Sequence, residues 1–100
     1  MERPECKVST NGTREWYLHG KMHREDGPAI EDANGSRGWY LNGKRHREDG
    51  PAVDWANGTR QWFLHGMKLT FKQWCANLSV NDTLKTLLLL KYSDELNGTI

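Results

Sequence analysis

The chain has 100 residues, of which 14 are basic and 13 acidic, for a net charge of +1. That describes one small domain with a thin core. It excludes a DNA mimic, which needs excess acid, and a strong polyanion binder, which needs a basic face. The longest apolar run, Leu87 to Leu90, is four residues, too short to span a bilayer. The opening residues MERPECKVST hold no signal-peptide core. The expected compartment is therefore the cytoplasm, with no membrane contact and with Cys6 and Cys75 as free thiols.

Internal repetition governs everything else. Asn11-Gly12, Asn34-Gly35 and Asn57-Gly58 stand 23 residues apart, as do Trp16, Trp39 and Trp62. Residues 11–33 match 34–56 at 16 of 23 positions, and residues 57–70 match 11–24 at 8 of 14. The single domain 1–100 thus divides into a partial leading repeat (1–10), repeat 1 (11–33), repeat 2 (34–56), a truncated repeat 3 (57–70) and a helical cap (71–100).

In chain order, Val8-Ser9-Thr10 reads as a strand end before the first Asn-Gly, with its register left open. Each Asn-Gly predicts a type I′ hairpin turn, as do His19-Gly20, Asn42-Gly43 and His65-Gly66, because both central residues there need positive φ. Two-residue turns set a register. Leu18 faces Lys21, Tyr17 faces Met22, Trp16 faces His23 and Glu15 faces Arg24; Tyr40 faces Arg45, Trp39 faces His46 and Trp62 faces Leu69. Across the Asn-Gly turns, Asp32 faces Arg37, Ile30 faces Trp39, Trp55 faces Arg60 and Val53 faces Trp62. The sheet face then carries the rows Ile30–Trp39–His46 and Val53–Trp62–Leu69. Glu25-Asp26-Gly27-Pro28 and its copy Glu48-Asp49-Gly50-Pro51 form longer connections. Six Asn-x-Ser/Thr triplets, beginning at Asn11, Asn34, Asn57, Asn77, Asn81 and Asn97, read as turn and cap chemistry rather than glycosylation sites.

At Thr70 the pattern changes. Thr70-Phe71-Lys72-Gln73 has capping-box form, and Phe71, Trp74, Cys75 and Leu78 share one helical face. A second helix follows Asn81 or Asp82, includes Leu84, Leu87, Leu88 and Tyr92, and stops at Asn97-Gly98. Leu89 and Leu90 widen its apolar face, enough to serve a homodimer through this helix.

The segment WYLNGKRHREDGPA (residues 39–52), repeated at 16–29 with His19 for Asn42, resembles the MORN repeat family. Most similar is the MORN-like variant with a Trp-Tyr-x-x-Gly-Lys-x-His-Arg-x-Asp-Gly-Pro-Ala core, known from phage, large-virus and bacterial antitoxin-like proteins. The resemblance covers residues 9–70; Arg24 and Arg47 stand where that family usually has glycine. It implies stacked β-hairpins, no enzymatic activity and a role in binding.

The fold expected is mainly β with C-terminal α: an antiparallel meander of six to eight short strands capped by one or two helices. His23 and His46, near the acidic pairs, recur because the repeat does, and no third or fourth metal ligand converges on them. No nucleophile accompanies Asp26 or Asp49. No catalytic, cofactor or metal site is expected. The candidate partner-binding residues are Tyr17, Arg24, Arg37, Tyr40, Arg45, Arg47, Trp55 and Arg60 on the sheet and Leu89 and Leu90 on the helix. Arg60 is further expected to stack on Trp55.

The leading functional expectation is a protein-binding module. Its viral resemblance suggests a phage-encoded inhibitor of a host factor or of a defence system such as CRISPR, acting in the host cytoplasm. The alternatives are nucleic-acid binding through the arginine and aromatic face, and antitoxin-like neutralisation of a partner toxin.

Overall fold

The computed structural model describes residues 2–97. Ten short strands come first: β1 (Glu5–Val8), β2 (Arg14–Leu18), β3 (Lys21–Met22), β4 (Ile30–Glu31), β5 (Arg37–Gly38), β6 (Tyr40–Leu41), β7 (Lys44–Arg45), β8 (Val53–Asp54), β9 (Arg60–Leu64) and β10 (Met67–Leu69). Helices α1 (Phe71–Ala76), α2 (Asp82–Lys91) and the single turn α3 (Asp94–Asn97) follow. The order β1-β2-β4-β5-β8-β9-β10 forms one antiparallel path, with β3 on β2, while β6 and β7 pair separately. This is the meander with C-terminal helices that the repeats predict, cut into more strands than six to eight. Among the described residues no helix is long and apolar enough to cross a membrane. The predicted stop at Asn97-Gly98 falls partly on Gly98, outside the described residues.

Two kinds of turn alternate. His19-Gly20, Asn42-Gly43 and His65-Gly66 are type I′, with both residues at positive φ, for example 51° at Asn42 and 80° at Gly43. They impose the expected register: Tyr17 on Met22 and Leu18 on Lys21, Tyr40 on Arg45, Trp62 on Leu69. The N–H groups of His23 and His46 donate to the carbonyls of Trp16 and Trp39, both at 3.0 Å.

The Asn-Gly turns differ from expectation. Only their glycines have positive φ. Gly35 N–H donates to Asp32 C=O and Asp32 N–H to Ser36 C=O, which makes a three-residue loop, a type I turn closed by a left-handed glycine. The same bonds recur around Gly12 and Gly58. In each loop the asparagine carboxamide oxygen accepts from the N–H two residues on, at 2.9–3.0 Å. The side chain thus holds the type I turn, so the asparagine itself needs no left-handed geometry.

The extra loop residue shifts the register by one. Ile30 faces Gly38 rather than Trp39, and Glu31 rather than Asp32 faces Arg37. Likewise Val53 faces Gln61 and Asp54 faces Arg60. The rows Ile30–Trp39 and Val53–Trp62 therefore do not form, since a one-residue slip changes the face of every side chain. Nor does Glu15 face Arg24. Glu15 pairs with Ile30, because the chain leaves the β2–β3 ladder after His23 and Arg24 N–H reaches Tyr40 C=O at 3.1 Å. The register left open at the first strand is Val8 on Arg14 and Lys7 on Glu15.

Successive repeats are tied by bonds that recur with a 23-residue offset. His23 Nδ1 accepts from Asn42 N–H, and His46 Nδ1 from His65 N–H, each at 2.9 Å. Met22 and Arg45 carbonyls accept from Gly43 and Gly66, each at 2.8 Å. Thr13 and Ser36 hydroxyls accept from Ala33 and Ala56. The histidine shared by repeats 1 and 2 is therefore a bracket that holds the next turn.

The core thickens toward the C-terminus. Trp16 and Trp39 are half-buried, and Trp62 is buried. Trp62, Leu64, Phe71, Trp74, Leu78, Leu88 and Tyr92 form the main cluster, and Ala52, Val53 and Phe63 a smaller one. Thr70 caps α1 in both directions of the predicted box, accepting from Gln73 N–H at 3.1 Å while its own N–H donates to Gln73 Oε1 at 2.9 Å. Asn81 caps α2. Trp74 is wholly buried, and its indole N–H donates to Arg47 C=O at 2.8 Å.

Candidate partner-binding surface

The repeated His-Arg-Glu-Asp-Gly-Pro segment builds one local unit twice. The Arg24 guanidinium lies 3.9 Å from the centroid of Trp16 and that of Arg47 3.8 Å from Trp39. Each donates to the aspartate two residues on, at 2.9 and 2.7 Å, and to the proline carbonyl four residues on, at 3.1 and 3.0 Å. The glycine between leaves room for this. A Cβ on Gly50 would stand 2.7 Å from Arg47 Cζ and 2.8 Å from the Tyr92 hydroxyl. Both arginines are thus mortared into the repeat by a cation–π face, an ion pair and a backbone bond.

In repeat 3 the equivalent position is Thr70, and there is no arginine to cover Trp62. The cap supplies aromatic rings instead. Phe71, Trp74 and Tyr92 approach the Trp62 ring at 4.8, 4.7 and 5.0 Å between centroids. The change from arginine to threonine thus marks where stacking of repeats gives way to helices.

The other candidates are mostly engaged as well. Arg37 pairs with Asp54 at 2.8 Å. Arg45 lies between the rings of Tyr40 and Phe63 and donates to the Tyr40 hydroxyl at 3.1 Å. Arg60 does not stack on Trp55. It turns to the cap, 5.2 Å from the Tyr92 ring and 3.2 and 3.4 Å from Asp94 and Glu95, while Trp55 donates to Gln61. The one-residue register shift, which places Asp54 rather than Trp55 opposite Arg60, accounts for the difference. Tyr17 lies under the Lys7 ammonium. Loss of hydration and the Glu15 carboxylate, 3.3 Å from its hydroxyl, hold its phenol above the ordinary value. Burial likewise raises the Cys75 thiol, partly offset by Lys85.

Large apolar side chains are also left open to solvent, Val8 and Met67 singly at 64% each and the rest mostly on α2. Leu87 is 57% exposed and Leu90 69%, with Leu84, Leu89, Leu96 and Trp55 between 36% and 40%. Of the apolar residues expected in this helix, Leu88 and Tyr92 join the buried Trp62 cluster, and Leu84 and Leu87 are exposed. Four consecutive leucines fit any rotation of a helix; the discriminating signal is the pair Thr83 and Thr86, which share the outer arc with Leu87 and Leu90. Beside Leu84 a groove runs between the Arg24–Gly27 and Arg47–Asp49 loops, floored by Trp39, Leu41 and Val80. Among the described residues, no three His, Cys, Asp or Glu side chains converge as metal ligands would.

No family model, curated protein or solved structure matches this chain.

Proposed function

We propose that this chain is a non-enzymatic protein-binding module whose contact surface is the exposed leucine face of α2. One observation carries the reading. The repeats engage most of their candidate arginines and both recurring histidines internally, while four of the eight exposed large apolar side chains of the described residues, Leu84, Leu87, Leu89 and Leu90, are gathered on one helix. Apolar groups gathered in this way mark protein contacts. Nucleic-acid binding would ask for free guanidinium groups along a face, and those of Arg24, Arg47 and Arg60 are taken. The resemblance to viral repeat proteins adds that the bound protein belongs to a host cell, whose cytoplasm is the site of action, and that binding inhibits it.

The test is recovery of partners on the tagged chain from host lysate, with and without nuclease, compared with Leu87→Asp. The expected result is one stoichiometric protein that survives nuclease and is lost with the variant. Recovery abolished by nuclease would replace this reading with the nucleic-acid one. Recovery indifferent to Leu87→Asp would move the contact off α2.

A further inference from the structure

We infer that the leucine face of α2 is a self-association surface, covered by α2 of a second copy running antiparallel about a two-fold axis midway between Thr86 and Leu87. The inference rests on the reading above that this face is a contact surface, and it names the occupant.

At 100° per residue, the inward pair Leu88 and Tyr92 leaves Thr83, Thr86, Leu87 and Leu90 on the outer arc, and all four are exposed. None is charged, in a chain where 27% of residues are. The charges on this helix that reach solvent fully stand at its two ends, Asp82 first and Lys91 last. A parallel pairing would set acid beside acid and base beside base. An antiparallel pairing brings Asp82 level with the partner's Lys91 and opposes the two helix dipoles.

The side-chain sizes agree with that arrangement. With the axis midway between Thr86 and Leu87, each Leu87 sits beside its own copy, and Leu90 meets the partner's Thr83, large against small on both sides. A two-fold contact of this kind covers both faces at once and cannot propagate. A separate protein would need an uncharged stripe of the same spacing with the opposite polarity at its ends. A second copy has one by construction.

The contact is one helix long, below the size of a standard interface, so the dimer is expected to be reversible. Sedimentation of the purified full chain from about 1 µM to about 1 mM should show a concentration-dependent monomer–dimer equilibrium. Leu87→Asp and Leu90→Asp should each weaken it at least about tenfold with the melting curve unchanged. Leu90, the more exposed, decides the matter should Leu87→Asp lower the melting temperature. In a background of Cys6→Ser and Cys75→Ser, protomers bearing Thr83→Cys should crosslink to protomers bearing Leu90→Cys through a short bismaleimide faster than either does to itself. The reverse order would overturn the antiparallel arrangement.

A chain that stays monomeric, or a dimer indifferent to both aspartates, overturns self-association through α2. A monomer that still captures a lysate protein through Leu87 overturns only the second-copy assignment. A monomer whose capture ignores Leu87 overturns that assignment and the reading of this face together.

Discussion

His46 shows what a single repeated residue does here. It is buried, and its Nδ1 accepts from His65 N–H in the next turn while Nε2 lies 3.1 Å from Glu48 Oε2. Replacing it removes the acceptor from a part-buried N–H, which costs about 1–3 kcal/mol. His46→Ala should therefore lower the melting temperature by several degrees, at about 4–8 °C per kcal/mol for a chain of this size. His23→Ala should cost less, because Asn42 N–H is exposed and water can replace the ring; equal losses would show that the bond to the next turn is not what the histidine contributes. The sequence identified the recurring histidines and their Trp neighbours, but nothing local in it points to an amide 19 residues away. Asn34 and Asn42 teach the same limit. Both precede glycine, yet one caps a three-residue loop from right-handed backbone and the other sits in a type I′ turn. The dipeptide fits both, and the choice, made by the loop length that the flanking strands allow, moved two rows of the sheet by one residue.

At the scale of the element, α1 was the most legible piece. A capping box is written in four adjacent residues, and both of its bonds are present. Thr70→Ala should cost about 1 kcal/mol, read by thermal melting, with Thr70→Ser close to wild type. A cap substitution without effect would mean that Trp74, wholly buried and bonded to Arg47, holds α1 unaided. Helix α2 was legible at its start, the Asn81 cap, but not at its end, since it stops at Lys91 and Tyr92 rather than at Asn97-Gly98, nor in its rotation. Leu84, Leu87, Leu88, Leu89 and Leu90 give the helix apolar groups on most sides, so periodicity could not say which would meet Trp62. That decision belongs to the aromatic cluster. It is why Leu84, Leu87, Leu89 and Leu90 are all left exposed, Leu87 and Leu90 the most.

Over the whole molecule, the repeat was visible from identity alone, and with it the antiparallel meander and its helical end. The candidate surface was less so. Arginine interleaved with tryptophan looks the same in a sequence whether it faces a ligand or its own repeat, and only the distances to Asp26, Asp49 and the proline carbonyls separate the two. Because the bonds between repeats recur at a fixed offset, the stack should accept another unit. A chain with residues 34–56 duplicated after Ala56 should fold with one more hairpin pair, the same cap and an undiminished melting temperature, since solenoid stability is close to a sum of nearest-neighbour terms. Loss of cooperative unfolding in that chain would show that the two repeats are not interchangeable in their contacts.

The arginine-to-threonine change at position 70 has a consequence for the order in which the chain is made. Repeat 1 carries its own lid for Trp16, and repeat 2 its own lid for Trp39, each within eight residues of the ring. Trp62 has none until Phe71, Trp74 and finally Tyr92 have left the ribosome. For that interval the most apolar part of the molecule is bare, and the helix that ends the wait brings its own uncovered leucines into the water.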